Sequence, residues 1–214
     1  REAQLMHLKQ HNWRYWFLGV NERKELIDRV EGINKTALLA EIEKAVSVNF
    51  GRFPIAGFSV FGSTLYGRKN QKPSDLDVMV LLKDASFTAN PVSARSGHPG
   101  KLFFPDAAST VESGELGMTI IGTGQINPRS SDENVKAFSL VYWGETVPLY
   151  GDPFCLAAPP LAAYLPWPYR VLGWAFKDVI ANQDDARVIK RGISRLEMIA
   201  YVMKYVSSGM GLTL

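Results

Sequence analysis

The stretch FSVFGSTLYGRKNQKPSDLDVMVLL, residues 58–82, decides the fold of this chain. Two segments rich in β-branched and aromatic residues, AGFSVFG and LDVMVLL, are typical of strands, and the polar RKNQKPS between them is typical of a loop. Asp75 and Asp77 stand at the start of the second strand. Because successive side chains of a strand point to opposite faces, the pattern places both carboxylates on one face and Leu76 and Val78 on the other.

The two carboxylates and the Gly-Ser pair before them predict the two halves of a phosphate and metal site. Adjacent carboxylates repel each other unless a cation lies between them, and hard oxygen ligands at this separation suit Mg²⁺ or Mn²⁺. Gly62 allows the backbone to turn sharply close to a ligand, and Ser63 offers a hydroxyl and an amide to a phosphate. Metal, phosphate and a hydroxyl donor together indicate phosphoryl transfer.

The spacing of these residues resembles the signature of the polymerase-beta-like nucleotidyltransferase superfamily, in the style of its small bacterial members, the minimal and kanamycin-type nucleotidyltransferases. The resemblance is carried by Gly62, Ser63, Gly67, Ser74, Asp75, Leu76 and Asp77. It implies that the Gly-Ser pair grips the triphosphate of a nucleoside triphosphate substrate. It also implies that the aspartates hold two metal ions, with help from a third carboxylate on a neighbouring strand. A weaker resemblance, through AFSLVYWGETVPLYGDP, extends over residues 35–153.

Glu115 is the residue we expect to supply the third carboxylate. It begins the strand-like segment ELGMTII, where alternation places it on one face with Gly117 and Thr119. Glu112 and Asp106 are nearby rivals. The resemblance thus predicts Asp75, Asp77 and Glu115 as the catalytic and metal-binding residues.

Further phosphate contacts are predicted for the loop residues Arg68, Lys72 and Ser74, and for Lys190 near the C-terminus. Lys69 shares the loop, and Arg191 is the alternative to Lys190. Each of these cations also fits a plain solvated surface. In the same way, without the upstream Gly-Ser pair, Ser74 followed by Asp75 would be typical of an ordinary turn that faces solvent.

The rest of the chain predicts an α+β fold with helices on both sides of a small mixed sheet. NERKELIDRVEGI and NKTALLAEIEKAVSVNF show helical periodicity, and Asn34 is the expected N-cap of the second helix. GELGMTIIG is expected to form a third strand, SSDENVKAFSLVYWG a helix and ETVPLYGDP a turn, whereas residues 84–113 show no clear period.

Two further helical segments, YRVLGWAFKDVIANQ and DARVIKRGISRLEMIAYVMKYV, follow a proline-rich stretch with no strand between them. They predict a helical C-terminal subdomain after the nucleotidyltransferase core. We therefore expect an N-terminal helical segment at 1–34, the catalytic core at 35–153 and the helical subdomain at 154–214.

Composition limits the function classes. The 214 residues are 46% hydrophobic, enough for a real core, and the net charge of +3 is too mild to indicate a nucleic-acid binder. The one cysteine, Cys155, excludes an internal disulfide and fits a reducing, cytoplasmic setting. No apolar run approaches the roughly 20 residues of a membrane span. Because the sequence begins without Met or a signal-peptide layout, we expect a trimmed or partial chain.

Two functions follow from these observations. The first is an enzyme that moves a nucleoside monophosphate from a nucleoside triphosphate to an acceptor hydroxyl with release of pyrophosphate. A small-molecule or protein acceptor is favoured over RNA, because the composition shows no long basic track. The second is a catalytically degenerate relative that binds a nucleotide or a helical protein partner, as an antitoxin-like protein does.

Overall fold

The computed structural model describes residues 2–12, 14–15, 18–62, 65, 75–83, 92–97, 115–123, 144–151 and 166–209. Three helices come first, followed by the strands and then by two long helices. In chain order the elements over these ranges are α1 (Glu2–His11), α2 (Val20–Glu31), α3 (Lys35–Phe50), β1 (Ile55–Phe61), β2 (Asp75–Leu82), β3 (Val92–Gly97), β4 (Glu115–Gly122), β5 (Val147–Gly151), α4 (Pro166–Ala181) and α5 (Ala186–Gly209).

The described strands form one mixed sheet in the order β3-β4-β2-β1-β5. The central strands β2 and β4 run parallel, whereas β1 pairs antiparallel with β2 and β5, and β3 pairs antiparallel with β4. Helices lie before and after this sheet in the chain, so the expected α+β class is confirmed. The parallel pair matters for the site, because β2 and β4 begin at the same end of the sheet, where β1 ends.

One face of the sheet carries the main core. Alternation along β2 brings Leu76, Val78, Val80 and Leu82 to this face, and each is at most 1% exposed. They belong to one buried cluster with side chains of α2 and α3, namely Leu26, Val30, Leu38, Ile42 and Val46. The two helices therefore bury their apolar stripes in the same core as this face of the sheet.

The opposite face carries the acidic residues at one end and is buried further along. Met79 and Leu81 of β2 are at most 2% exposed, as are their register neighbours Ser59 of β1 and Ile121 of β4. Asp77 lies on this face and is only partly buried. The sheet thus changes from apolar to acidic toward the end where β2 and β4 begin.

Helices α2 and α3 confirm the periodicity of the N-terminal sequence. Leu26 and Val30 are buried on α2, and Ile33 is buried just beyond its end. Asn34 is the N-cap of α3, as expected, because its side chain accepts a hydrogen bond from the Ala37 amide at 3.1 Å. Helix α1, over Glu2–His11, adds a further helix before them.

Two strands were not expected from the sequence. Val92–Gly97 forms β3 within the stretch 84–113 that shows no period, so GELGMTIIG supplies the fourth strand and not the third. The prediction of a turn at ETVPLYGDP was wrong over Val147–Gly151, which forms β5 and pairs with β1. Both are edge strands. Edge strands tolerate Pro148 and the small, polar residues of β3, which is why neither shows a strand pattern.

The C-terminal helices α4 and α5 follow each other with only residues 182–185 between them. Asp185 caps α5 by accepting a hydrogen bond from the Val188 amide at 3.4 Å. The two helices pack closely, since a Cβ atom built on Gly192 would lie 2.5 Å from Val179 Cγ2. The prediction of two helices without an intervening strand is confirmed, and the domain boundaries stay predictions. Over the described ranges, no helix combines the length and apolarity that a membrane crossing needs.

Candidate active site

Gly62 directly follows strand β1 and lies against the carboxylate of Asp77. The φ angle of Gly62 is +79°, a conformation that L-residues with a side chain rarely adopt. A Cβ atom built on Gly62 would overlap Asp77 Oδ2 and would lie 2.9 Å from Asp77 Cγ. Register explains the proximity, because Phe61, the residue before Gly62, is the partner of Asp77 across the β1–β2 ladder. Glycine is therefore required here both for the backbone angle and for the space that Asp77 occupies.

The backbone of Leu65 is held both by Gly62 and by helix α2. The Leu65 amide donates a hydrogen bond to the Gly62 carbonyl at 3.2 Å, and the Leu65 side chain is 2% exposed. On its other side, the Leu65 carbonyl accepts a hydrogen bond from Arg29 Nη1 at 2.9 Å. Sequence reasoning missed Arg29. In the sequence, Arg29 is only a cation next to Val30, at the edge of the apolar stripe of α2. Nothing in that pattern indicates a hydrogen-bond acceptor 36 residues away.

Parallel pairing of β2 and β4 aligns the three predicted acids. Asp75 and Glu115 are Cα partners at the start of the ladder, and Asp77 is the partner of Gly117. Paired residues of neighbouring strands share a face and lie about 4.8 Å apart. Asp75, Asp77 and Glu115 are therefore placed on one face, at one end of the sheet, within two rows of the ladder. The structure describes the backbone positions of Asp75 and Glu115, and the catalytic roles of these two residues stay predictions.

Several predicted site residues lie outside the described residues. They are Ser63, Arg68, Lys69, Lys72 and Ser74, together with the rival acids Asp106 and Glu112. Lys190 and Arg191 fall within helix α5, where only their backbone is described. The helix expected for SSDENVKAFSLVYWG also lies outside the described ranges.

The acidic residue types at this end of the sheet are those that a hard divalent cation prefers. Asp and Glu carboxylates are oxygen ligands suited to Mg²⁺ and Mn²⁺. Among the side chains that the structure describes, no three His, Cys, Asp or Glu residues form a group able to hold a metal ion. The prediction of a cation here rests on the described Asp77 side chain and on the backbone register that aligns Asp75 with Glu115, and metal binding stays a prediction.

Glu145, just before β5, is a further carboxyl group near this end of the sheet, and the sequence did not single it out. Burial raises the pKa of Glu145 to about 7, and the charge of Arg14 lowers it in part. It lies beneath the N-terminal segment, where buried Asn12 donates a hydrogen bond to the Thr146 carbonyl at 3.4 Å. Strand β1 lies between β5 and β2, so the segment that carries Glu145 does not neighbour the strand of Asp77. Its surroundings indicate a structural group.

Comparisons with protein-family models, with curated proteins and with solved structures find no significant match to this chain.

Proposed function

We propose that the protein is a metal-dependent nucleotidyltransferase. It transfers a nucleoside monophosphate from a nucleoside triphosphate to an acceptor hydroxyl and releases pyrophosphate. The observation that carries the proposal is the contact between Gly62, at positive φ, and the Asp77 carboxylate, next to a ladder that pairs Asp75 with Glu115. A close backbone turn beside a set of acids is what phosphate and metal binding together require.

In this proposal each part of the site has a distinct task. The turn that starts at Gly62, with Ser63, binds the triphosphate, and Arg68, Lys72, Ser74 and Lys190 add contacts to its oxygens. Asp75, Asp77 and Glu115 hold Mg²⁺ or Mn²⁺, which when bound neutralises phosphate charge and activates the acceptor hydroxyl. The remaining residues of the core and the C-terminal helices hold nucleotide and acceptor in line.

The reaction balances without an external oxidant or reductant. The acceptor hydroxyl oxygen forms a bond to the α-phosphorus, and the bond from that phosphorus to the bridging oxygen of the β-phosphate breaks. The hydroxyl proton passes to a carboxylate of the site, with Glu115 as the group we assign, and pyrophosphate leaves with the bond electrons. Positioning and charge stabilisation supply most of the rate in such a transfer.

The acceptor class follows from charge. A polynucleotide acceptor needs a long basic track, and a net charge of +3 over 214 residues supports a small-molecule or protein acceptor better. We place the reaction in the cytoplasm, where nucleoside triphosphates and Mg²⁺ are abundant and a lone cysteine stays reduced.

The alternative function is a binding module that keeps the fold but does no chemistry. It is favoured by apolar side chains that stay 45–66% exposed on the C-terminal helices, namely Phe176, Ile180, Ile193 and Leu196. Exposed apolar groups that cluster on helices are typical of protein interaction surfaces. This function requires nucleotide binding or partner binding without pyrophosphate release.

Pyrophosphate release tests the transferase proposal. The protein is incubated with ATP or CTP labelled in the γ-phosphate, with Mg²⁺ and with pools of small-molecule, protein and RNA acceptors. Asp75→Asn and Asp77→Asn each should lower release at least about a hundredfold, because loss of a metal ligand costs several kcal/mol of transition-state stabilisation. Asp184→Asn is the matched control, since Asp184 is exposed in the 182–185 turn and should keep full activity.

The outcomes separate the two functions. Release that survives in the Asp75→Asn, Asp77→Asn double variant overturns the catalytic assignment. Nucleotide binding with no release from any acceptor pool favours the binding module. Release that depends on Glu115 as strongly as on Asp77 supports the third carboxylate, whereas full turnover in Glu115→Ala refutes that assignment.

A further inference from the structure

Arg29 joins helix α2 to the turn beside the acidic residues. Its Nη1 donates to the Leu65 carbonyl at 2.9 Å in a partly buried setting, and its Nη2 lies 3.8 Å from Glu25 Oε2 one helical turn earlier. A charged donor makes a shorter and stronger hydrogen bond than a neutral one, above all where water is partly excluded. The helix therefore holds the Leu65 carbonyl through a contact that is costly to lose.

Leu65 is linked through its backbone to Gly62 at the candidate site. Its amide donates to the Gly62 carbonyl at 3.2 Å, and Gly62 in turn contacts the Asp77 carboxylate. A connected series thus runs from α2 through Arg29, Leu65 and Gly62 to Asp77. Because Leu65 is 2% exposed, its backbone is anchored by its own buried side chain as well as by these two hydrogen bonds.

We propose that Arg29 is a positioning residue for nucleotide binding, a role that rests on the proposed transferase function. Arg29 acts through the Leu65 carbonyl and does not touch the substrate. It fixes the backbone of Leu65, and through it Gly62, at one distance from the Asp77 carboxylate. Phosphate binding by a backbone turn depends on such preorganisation, since a turn that moves must be ordered again each time a nucleotide binds.

Two substitutions at Arg29 test this role. Arg29→Met keeps an apolar stem of similar reach and removes the donor, and Arg29→Lys restores a single cationic donor. In Arg29→Met we expect the KM for the Mg²⁺-nucleotide to rise about tenfold, equivalent to about 1.4 kcal/mol, with kcat changed by less than about threefold. Arg29→Lys should recover part of the loss. A general folding defect would instead lower the amount of active protein and leave KM unchanged.

Arg23→Met is the matched control. Arg23 lies on the same helix and also donates to a backbone carbonyl, from Nε to Tyr15 O at 3.1 Å, with its guanidinium 5.0 Å from the Tyr15 ring centroid. The Arg23→Met variant therefore loses a similar hydrogen bond and a cation–π contact, but these contacts are to Tyr15 in the N-terminal segment and not to Leu65. Arg23→Met should leave the nucleotide KM unchanged.

Hydrogen exchange of the Leu65 amide, measured by NMR in the absence of nucleotide, makes the test independent of activity. We expect exchange to be about tenfold faster in Arg29→Met than in the parent protein, by the same conversion, and unchanged in Arg23→Met. Unchanged exchange in Arg29→Met overturns the positioning role whatever the protein does. Faster exchange with unchanged nucleotide KM overturns the link to binding. Faster exchange in a protein that binds no nucleotide supports the hold on the turn and refutes the transferase function.

Discussion

Gly62→Ala should destabilise the protein by two separable effects. The first is the backbone angle, since a side chain at φ +79° costs about 1–2 kcal/mol. The second is steric, because the new Cβ would overlap Asp77 Oδ2 and would lie 3.1 Å from Asp77 Cβ, so the aspartate must leave its rotamer. That displacement costs about another 1 kcal/mol. We therefore expect a total loss of about 2–3 kcal/mol in the free energy of unfolding.

Gly51→Ala isolates the backbone effect. Gly51 has a φ of +87°, and a Cβ atom there would meet no described atom within 4 Å. It should lose about 1–2 kcal/mol, so the difference between the two variants measures the cost of displacing Asp77. Urea unfolding followed by circular dichroism gives both values, and each kcal/mol should also lower the Tm by about 2–4 °C.

A double-variant cycle with Asp77→Ala separates the steric cost from the backbone cost. Once the carboxylate is removed, the cost of Gly62→Ala should fall close to that of Gly51→Ala, because the overlap with Oδ2 and Cγ is gone and only the approach to the Cβ of residue 77 remains. Equal costs of the two glycine variants in the parent protein would refute the contact between Gly62 and Asp77. If the protein is a transferase, Gly62→Ala should also lower pyrophosphate release about a hundredfold, the effect of misplacing a group by about 1 Å, and Gly51→Ala should not.

Three further predictions concern the rest of the fold. The free energy of unfolding should fall by up to about 3 kcal/mol as pH rises from 4.5 to about 7, because Glu145 keeps its proton in the folded state and loses it in the unfolded state. Glu145→Gln should remove this pH dependence, as measured by urea unfolding at several pH values. Asn34→Ala should cost about 1 kcal/mol in the same assay, since it removes the N-cap of α3. In thermal unfolding, Gly173→Ala should stabilise α4 by about 1 kcal/mol, whereas Gly192→Ala should bring no gain, because its Cβ would press on Val179.

Each of these predictions has a clear contrary result. The assignment to Glu145 is wrong if Glu145→Gln keeps the same dependence of stability on pH as the parent protein. Glu43→Gln, which replaces an exposed residue of α3, is the control and should keep that dependence. The capping argument fails if Lys35→Ala, next to the cap, costs as much as Asn34→Ala. Equal gains from alanine at Gly173 and Gly192 would contradict the close packing of α4 on α5.

The parts of this fold that are local in sequence could be predicted from the sequence. Helices α2 and α3 follow from apolar periodicity, and the Asn34 cap follows because its acceptor and donor are three residues apart. Strands β1 and β2 were predictable as well, since central strands buried on one or both faces need apolar and β-branched side chains. Alternation alone placed Asp75 and Asp77 on one face.

Long-range pairing decided everything else. The edge strands β3 and β5 need no apolar pattern, so only their ladders with β4 and β1 reveal them. The register that pairs Asp75 with Glu115 depends on how two parallel strands align across the sheet, which no local signal encodes. The contact of Gly62 with Asp77 and the hold of Arg29 on Leu65 are likewise products of packing. Residue types near Asp75 therefore predict a phosphate and metal site, and the tertiary structure determines which distant residues lie beside them.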